Sequence, residues 1–308
     1  MQTILGANGT IGKLLAKDLM AYTDRVRLVS RNPIRVNQTD ELLTADLSQP
    51  GAVEKAVQGS EVVYLVVGFE YRLKVWEEKW PALMRDAIDA CARHGAKLVF
   101  FDNVYMYDKD RISHMTEETP VNPPSRKGAV RKKISEMLLS ASREGWLQGL
   151  IARSADFYGP DTNNNFVTQM VLKNLKEGKK AMWFVSPDIK HSFTYTPDAA
   201  RATALLGNTP DAYGQVWHLP TEGRAVTGRE MITMIAAEMG AEPKISILPK
   251  FMLLPLGLFI PVMLEMREMI YQYDRNYFFD SSKFTRRFGT KATPYETGIK
   301  ATCQAYKA

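Results

Sequence analysis

Cysteine is nearly absent. The 308 residues include two, Cys91 and Cys303, too few for a disulfide framework, which implies reduced thiols in a cytoplasmic protein. The four histidines are scattered and no Cys/His cluster has ligand spacing, so no metal is expected. Long apolar runs are missing too. The longest, Phe251 to Met266, is broken by two prolines and falls short of the roughly 20 residues that a span requires. It reads as a buried or partly exposed helix pair, and no membrane partner is expected. The opening MQTILGANG reads as a strand entering a Gly-rich turn rather than a secretory signal. Charge is close to balanced, at a net +6. Basic clusters at Arg25–Arg35, Arg126–Lys133, Lys173–Lys180 and Arg286–Arg287 carry no interleaved aromatics, so no nucleic acid is expected. An anionic cofactor or solvated helix faces account for them. There is no internal repeat.

What is present is alternation. Strand-like segments at Thr3–Leu5, Val26–Ser30, Val62–Val67, Lys97–Phe101 and Leu150–Ala152 are separated by helical patterns at Ile11–Met20, Val53–Gln58, Trp76–His94 and Arg126–Glu144. VVYLVV at 62–67 is a near-continuous apolar run, the mark of a strand covered on both faces. This order predicts an α/β fold, a Rossmann-type doubly wound parallel sheet with helices on both faces. Past about residue 155 the pattern loosens, with helices expected at 163–177, 197–207, 228–239 and 256–273. The division expected is a dinucleotide-binding domain over 1–155 and a smaller, mainly substrate-binding region over 156–308, some of whose segments are free to rejoin the sheet.

Gly6-Ala7-Asn8-Gly9-Thr10-Ile11-Gly12 follows a strand and opens a helix. Glycines at this spacing allow a tight turn, close approach of backbone to a pyrophosphate, and close packing of helix on strand. The helix N-terminus adds free N–H groups and a positive dipole end. Gly6, Asn8, Gly9, Thr10, Ile11 and Gly12 are therefore assigned to a dinucleotide. The second strand ends Val29-Ser30-Arg31-Asn32, without the acid that usually bonds the ribose 2′-hydroxyl of NAD. Arg31 suits a 2′-phosphate, which favours NADP over NAD; stacking on adenine is its other reading.

Six ordered stretches resemble one family. GANGTIG at 6–12, Asp46-Leu47 in TADLSQ, YLVVG at 64–68, KLVFFDNVYMYD at 97–108, IARSADFYGP at 151–160 and HSFTYTPDAARA at 191–202 are similar to extended short-chain dehydrogenases/reductases of the NAD-dependent epimerase/dehydratase type. The resemblance implies adenine contacts at Asp46 and Leu47, and further cofactor contacts at Val67, Gly68, Ser154 and Ala155. It implies an oxidoreductase or epimerase acting on a small carbonyl or alcohol compound, and a homodimer through helices 76–94 and 126–144. Members use Ser/Thr, Tyr and Lys: the tyrosine exchanges a proton with substrate while the lysine holds the ribose and favours the phenolate.

Three positions depart from that pattern. With the register anchored on Lys132 and Glu136, the tyrosine position is Gly128. The serine position is Asn103, and Asp156 stands where many members carry asparagine. The expected catalytic set is therefore Tyr105 as displaced proton donor, Asn103 and Lys132. Tyr71, in the loop after the fourth strand, is the second candidate donor and a substrate contact. Tyr105-x-x-x-Lys109 spells the motif in a loop and is taken as a decoy; Tyr107 is expected in the core. Asp156 is expected to meet substrate and to repel a nucleotide diphosphate, or else to pair with Arg153 or Arg126. His191 and His218 are expected to be hydrogen-bonded structural residues. The alternative function is a non-catalytic, NAD(P)-sensing regulator.

Overall fold

The structure, a computed structural model, describes every residue except Asp161, Asn163, Asn164 and Ala308. In chain order the first half runs β1 (Gln2–Leu5), α1 (Thr10–Leu19), β2 (Val26–Ser30), β3 (Glu41–Thr44), α2 (Ala52–Val57), β4 (Val62–Leu65), α3 (Leu73–His94), β5 (Lys97–Asp102), α4 (Arg126–Arg143) and β6 (Gly149–Arg153). There follow β7 (Asp156–Tyr158), α5 (Lys173–Lys176), β8 (Ala181–Phe184), β9 (Lys190–His191), β10 (Phe193–Tyr195), α6 (Thr196–Gly207), β11 (Val216–His218), β12 (Val226–Thr227) and α7 (Gly228–Met239). The chain ends with β13 (Ile245–Leu248), α8 (Leu253–Gly257), α9 (Pro261–Met266), α10 (Ser282–Phe288) and α11 (Tyr295–Lys307).

The chain divides into two compact units. Unit 1 comprises residues 1–103, 127–153 and 199–219. Its seven-stranded sheet has the order β11-β6-β5-β4-β1-β2-β3, parallel throughout. The order reverses between β1 and β4, and such a reversal opens a crevice at the strands' carboxyl ends. Both central strands are buried along their length, QTIL in β1 and VVYL in β4. Helix α3 buries Trp76, Trp80, Leu83, Met84, Ala87, Ile88 and Cys91, a helical spacing of three and four. A hydrogen-bonded trio fixes the register at the start of β1: Tyr64 Oη donates to Gln2 Oε1 at 2.8 Å, and Gln2 Nε2 donates to Asn208 Oδ1 at 2.6 Å. The apolar run at 62–67 ends as strand at Leu65, and the backbone of Val66 and Val67 lies against the turn that begins at Gly6.

Unit 2 comprises residues 104–126, 154–198 and 220–308. It carries three two-stranded sheets, β10 with β7, β12 with β9, and β13 with β8. Trp183, Phe193, Tyr158, Tyr295, Ile232 and Ile235 form the centre of its core. The helix expected at 256–273 is instead two short helices and a 3-10 turn at Arg267–Gln272. Pro261 cannot continue a helix by donating a backbone N–H, and it starts a new one at the first position. The helix expected at 163–177 begins on residues outside those described; a π-helical turn over Val167–Leu172 precedes α5. The apolar stretch is also more exposed than a buried helix pair: Phe251, Leu258 and Phe259 are 76, 76 and 85% exposed. Among the described residues, no helix is long and apolar enough to cross a membrane.

Candidate functional site

In unit 1 the turn from Gly6 to Gly12 begins where β1 ends, beside the end of β4. Gly6 has φ +94°, and a Cβ there would lie 2.8 Å from Val67 Cα. A Cβ on Gly12 would lie 2.6 Å from the Ala7 carbonyl oxygen. The fold itself therefore demands these two glycines. Gly9 differs. It is exposed, and a Cβ on it would come no closer than 3.4 Å to Gly6 O. The protein has room for a side chain there, so the fold does not itself demand this glycine. Gly9 is also the N-cap of α1 and supplies no side-chain cap, leaving the helix N-terminus open to an anion. Those features fit the pyrophosphate of a dinucleotide. Asn8, expected at the cofactor, has its side chain bonded within the protein: its Nδ2 donates to Asn32 O at 2.6 Å and its Oδ1 accepts from Ile34 N at 3.2 Å. It ties the turn to the loop after β2. Arg31, on that loop, is exposed. Asp46 closes its own turn by accepting from Ser48 N and Oγ at 3.0 and 2.8 Å, and these bonds, chiefly the backbone one, hold its carboxyl below the ordinary aspartate range; Arg31 contributes in the same direction. Ser30 Oγ is buried without a hydrogen-bond partner.

The end of β5 and helix α4 are held by a buried ion network. Asp102 accepts from Arg131 Nε at 2.7 Å and Ser135 Oγ at 2.9 Å, and Arg153 Nε stands 3.5 Å away. All three charged side chains are at most 5% exposed. The Arg131 guanidinium also lies 4.5 Å from the Trp80 ring centroid and 4.9 Å from that of Phe100. Asp102 Oδ1 accepts from the Asn103 backbone N–H at 2.8 Å, so the same carboxylate sets the backbone at the serine position. On α4 Gly128 is buried, while Lys132 is 40% exposed with Glu136 Oε1 3.8 Å from its Nζ. Lys127 is fully buried, its Nζ 4.9 Å from the ring centroid of Tyr71. The sequence had marked Tyr71 but not its cation.

Unit 2 holds Tyr105, Ser154, Ala155 and Asp156. Ser154 Oγ donates to Ala155 O at 2.9 Å, and Ala155 N donates to Thr194 Oγ1 at 3.1 Å. Asp156 pairs with neither Arg153 nor Arg126. Its Oδ2 accepts from Tyr273 Oη at 3.0 Å and lies 3.0 Å from His191 Nε2. The difference follows from β7 pairing with β10 one residue past β9, which puts His191 at hand. His191 is buried and sandwiched, its ring 4.1 Å from that of Tyr277 at an angle of 3° and 5.1 Å from that of Tyr273 at 15°. Burial, with the nearby Asp156 charge, pushes the Tyr273 and Tyr277 hydroxyls far above the usual phenol range; the neighbouring Tyr105 adds to both. Tyr107 is fully buried. Tyr105, Tyr271, Tyr273 and Tyr277 thus share an electrostatic neighbourhood with Asp156, which His191 also meets. Sequence reasoning found Tyr105 and Asp156 but missed Tyr273 and Tyr277; the density of tyrosine in YQYDRNY at 271–277 was the available signal.

Residues 3–219 match the model of the NAD dependent epimerase/dehydratase family. The chain belongs to this family. No curated protein matches it significantly. Among solved structures, this family member is similar to UDP-glucose 4-epimerase of Thermus thermophilus in complex with NAD, at 17% identity and a TM-score of 0.81 over 100% of this chain and 99% of that one. It is also similar to UDP-glucuronic acid 4-epimerase of Bacillus cereus, in complex with UDP-glucuronic acid and NAD, at 16% identity and a TM-score of 0.82 with the same coverage. A third, dTDP-glucose 4,6-dehydratase DesIV of Streptomyces venezuelae, gives 16% and 0.79 over 100% and 97%. At such identities the likeness is one of fold. The family assignment makes the protein NAD-dependent epimerase or oxidoreductase in type.

Proposed function

We propose that the protein is an NADP-preferring oxidoreductase or epimerase of a small carbonyl or alcohol compound, in which the proton donor has moved off helix α4. Residues 1–155 hold the cofactor and the later region mainly the substrate. The observation that supports this reading is Gly128, buried on α4 four residues before Lys132; in the register that the sequence resemblance implies, it offers no acid at the position of the family's tyrosine. The bound cofactor supplies hydride transfer. In unit 1, Gly6, Gly9 and Gly12 with Thr10 and Ile11 form the phosphate cradle; Asp46, Leu47, Val67 and Gly68 border it; Lys132 holds the ribose. Asn103 hydrogen-bonds the substrate oxygen. In unit 2, Ser154 and Ala155 serve the cofactor, Asp156 contacts substrate, and Tyr105 exchanges the proton. Tyr105 is supported over Tyr71 as donor by its place in the tyrosine cluster around Asp156. The preference for NADP is supported by exposed Arg31 and by the lack of an acid after β2.

Calorimetry should give tighter binding of NADPH than of NADH, with the ratio falling about tenfold in Arg31→Ala. Tighter NADH binding would refute the preference. Tyr105→Phe should lower kcat by roughly 100-fold or more in NADPH oxidation with an aldehyde and ketone panel, at unchanged cofactor affinity. Unchanged turnover would remove Tyr105 from the mechanism. Cofactor binding with no turnover across the panel would favour a nucleotide-sensing regulator, the reading that Gly128 also permits.

A further inference from the structure

Asp156 carries a charge that no fixed cation cancels. Its two partners are a tyrosine hydroxyl, which brings no charge, and an imidazole, which brings one only when protonated. Among the described residues no lysine or arginine forms an ion pair with it. The side chain is 21% exposed, which keeps one approach open while limiting screening by water. Both contacts fall on Oδ2; Oδ1 accepts nothing from the described residues.

Two further oxygens lie in the same neighbourhood. The hydroxyls of Tyr271 and Tyr277, on side chains 7% and 0% exposed, are buried without hydrogen-bond partners. Gln272 stands beside the first and the Asp156 backbone beside the second. Both hydroxyls feel Asp156 and Tyr105. A buried polar group without a partner is costly and rare, so two beside a half-satisfied carboxylate mark a place where a ligand, or water that it orders, completes the bonding.

The geometry points to a subsite in unit 2 for the ammonium group of an amine-bearing substrate, with Asp156 Oδ1 as counter-ion and the Tyr271 and Tyr277 hydroxyl oxygens as further acceptors. An ammonium donates and never accepts, which suits Asp156 Oδ1, an acceptor that takes no hydrogen bond from the described residues. A phosphate would meet an uncompensated like charge. A neutral hydroxyl would leave the carboxylate's charge unopposed. Tyrosine rings around the carboxylate add attraction for a cation. The inference rests on Asp156 being a substrate contact.

The test uses the full chain saturated with NADP+ and ligand-observed saturation-transfer NMR near neutral pH. Three probes are compared: benzylamine, its neutral counterpart benzyl alcohol, and UDP. Benzylamine should be saturated roughly fivefold more strongly than the alcohol, and UDP not at all. Asp156→Asn should erase the difference, and Tyr277→Phe, which keeps the ring against His191, should reduce it. Equal saturation of amine and alcohol, a preference that survives Asp156→Asn, saturation of UDP alone, or binding of no probe would each overturn the subsite. NADPH calorimetry on the same variants should show wild-type affinity. Loss of cofactor binding in the wild-type protein would instead sink the dinucleotide reading and leave any amine preference standing.

Discussion

The three glycines of the phosphate turn should separate into two that the fold needs and one that the ligand needs. In Gly12→Ala the new Cβ would lie 2.6 Å from Ala7 O and 2.8 Å from Ala7 C and Cα. Ordinary contacts of this kind are no shorter than about 3.4 Å, and overpacking costs about 1–3 kcal/mol. The obstacle is backbone, and Ala7 N is tied to Val29 O at 3.1 Å, so the upper end of that range is expected. In Gly9→Ala the nearest atom is 3.4 Å away. Alanine is a poorer N-cap than glycine by about 1 kcal/mol, while the stiffer unfolded chain returns about 0.4–1 kcal/mol. Folding stability should therefore stay within about 0.5 kcal/mol of wild type. Binding should not. A methyl group on the cradle displaces at least one amide-to-phosphate hydrogen bond, worth about 1.5–3 kcal/mol when one partner is charged. That converts to a roughly 10- to 150-fold weaker NADPH affinity. Thermal denaturation without cofactor and calorimetry with it give the two numbers separately. Gly9→Ala binding NADPH as tightly as wild type, or Gly12→Ala melting like wild type, would refute the argument.

Asp102→Asn should destabilise the protein by about 3–5 kcal/mol in urea, since Arg131 and Arg153 would remain buried without their carboxylate; a loss below about 1 kcal/mol would show that the network is replaceable. Burial pushes the Cys91 thiol up to about 12 and, with Glu238 next, that of Cys303 up to about 11. Both should resist a disulfide reagent near pH 8 in the native protein and react fast in denaturant, as absorbance of the released thiolate would report. Because both thiols are raised above their unfolded value of about 9, the stability they contribute is complete below pH 9 and lost as pH climbs through 11 to 12; a denaturation series across that window should show the decline. Phe259→Ser, at a side chain 85% exposed, should shift stability by less than about 0.5 kcal/mol, and a larger loss by calorimetry would mean that Phe259 is covered in solution.

The sheet was readable because its signals are local. Continuous apolar runs at 62–65 and 98–101, and glycines set between a strand and a helix, depend on neighbours in sequence. Strand β3 escaped because ELLT is exposed at Glu41, Leu42 and Thr44 and lies at the sheet's edge, where neither alternation nor full burial applies. Helix α4 was legible as a helix, yet its charges were not. RKGAVRKK reads as a solvated basic face, but Lys127 and Arg131 are buried, one against Tyr71 and the other between Asp102 and the aromatic rings of α3 and β5. Nothing within eight residues announces a carboxylate at the end of another strand.

The surroundings of Asp156 were hidden for a related reason. Its partners come from His191, 35 positions away, and Tyr273, 117 positions away. The pairing of β7 with β10 brings His191 to hand, and the bridge between His191 and Tyr277 brings the segment that carries Tyr273. An aspartate alone here would carry a costly half-buried charge. Asp156 is instead accompanied by a buried imidazole stacked with two tyrosine rings and by a tyrosine hydroxyl on the same oxygen. The carboxylate, the imidazole and the tyrosine hydroxyl therefore stand together within unit 2, which also holds Tyr105, the proton donor proposed above.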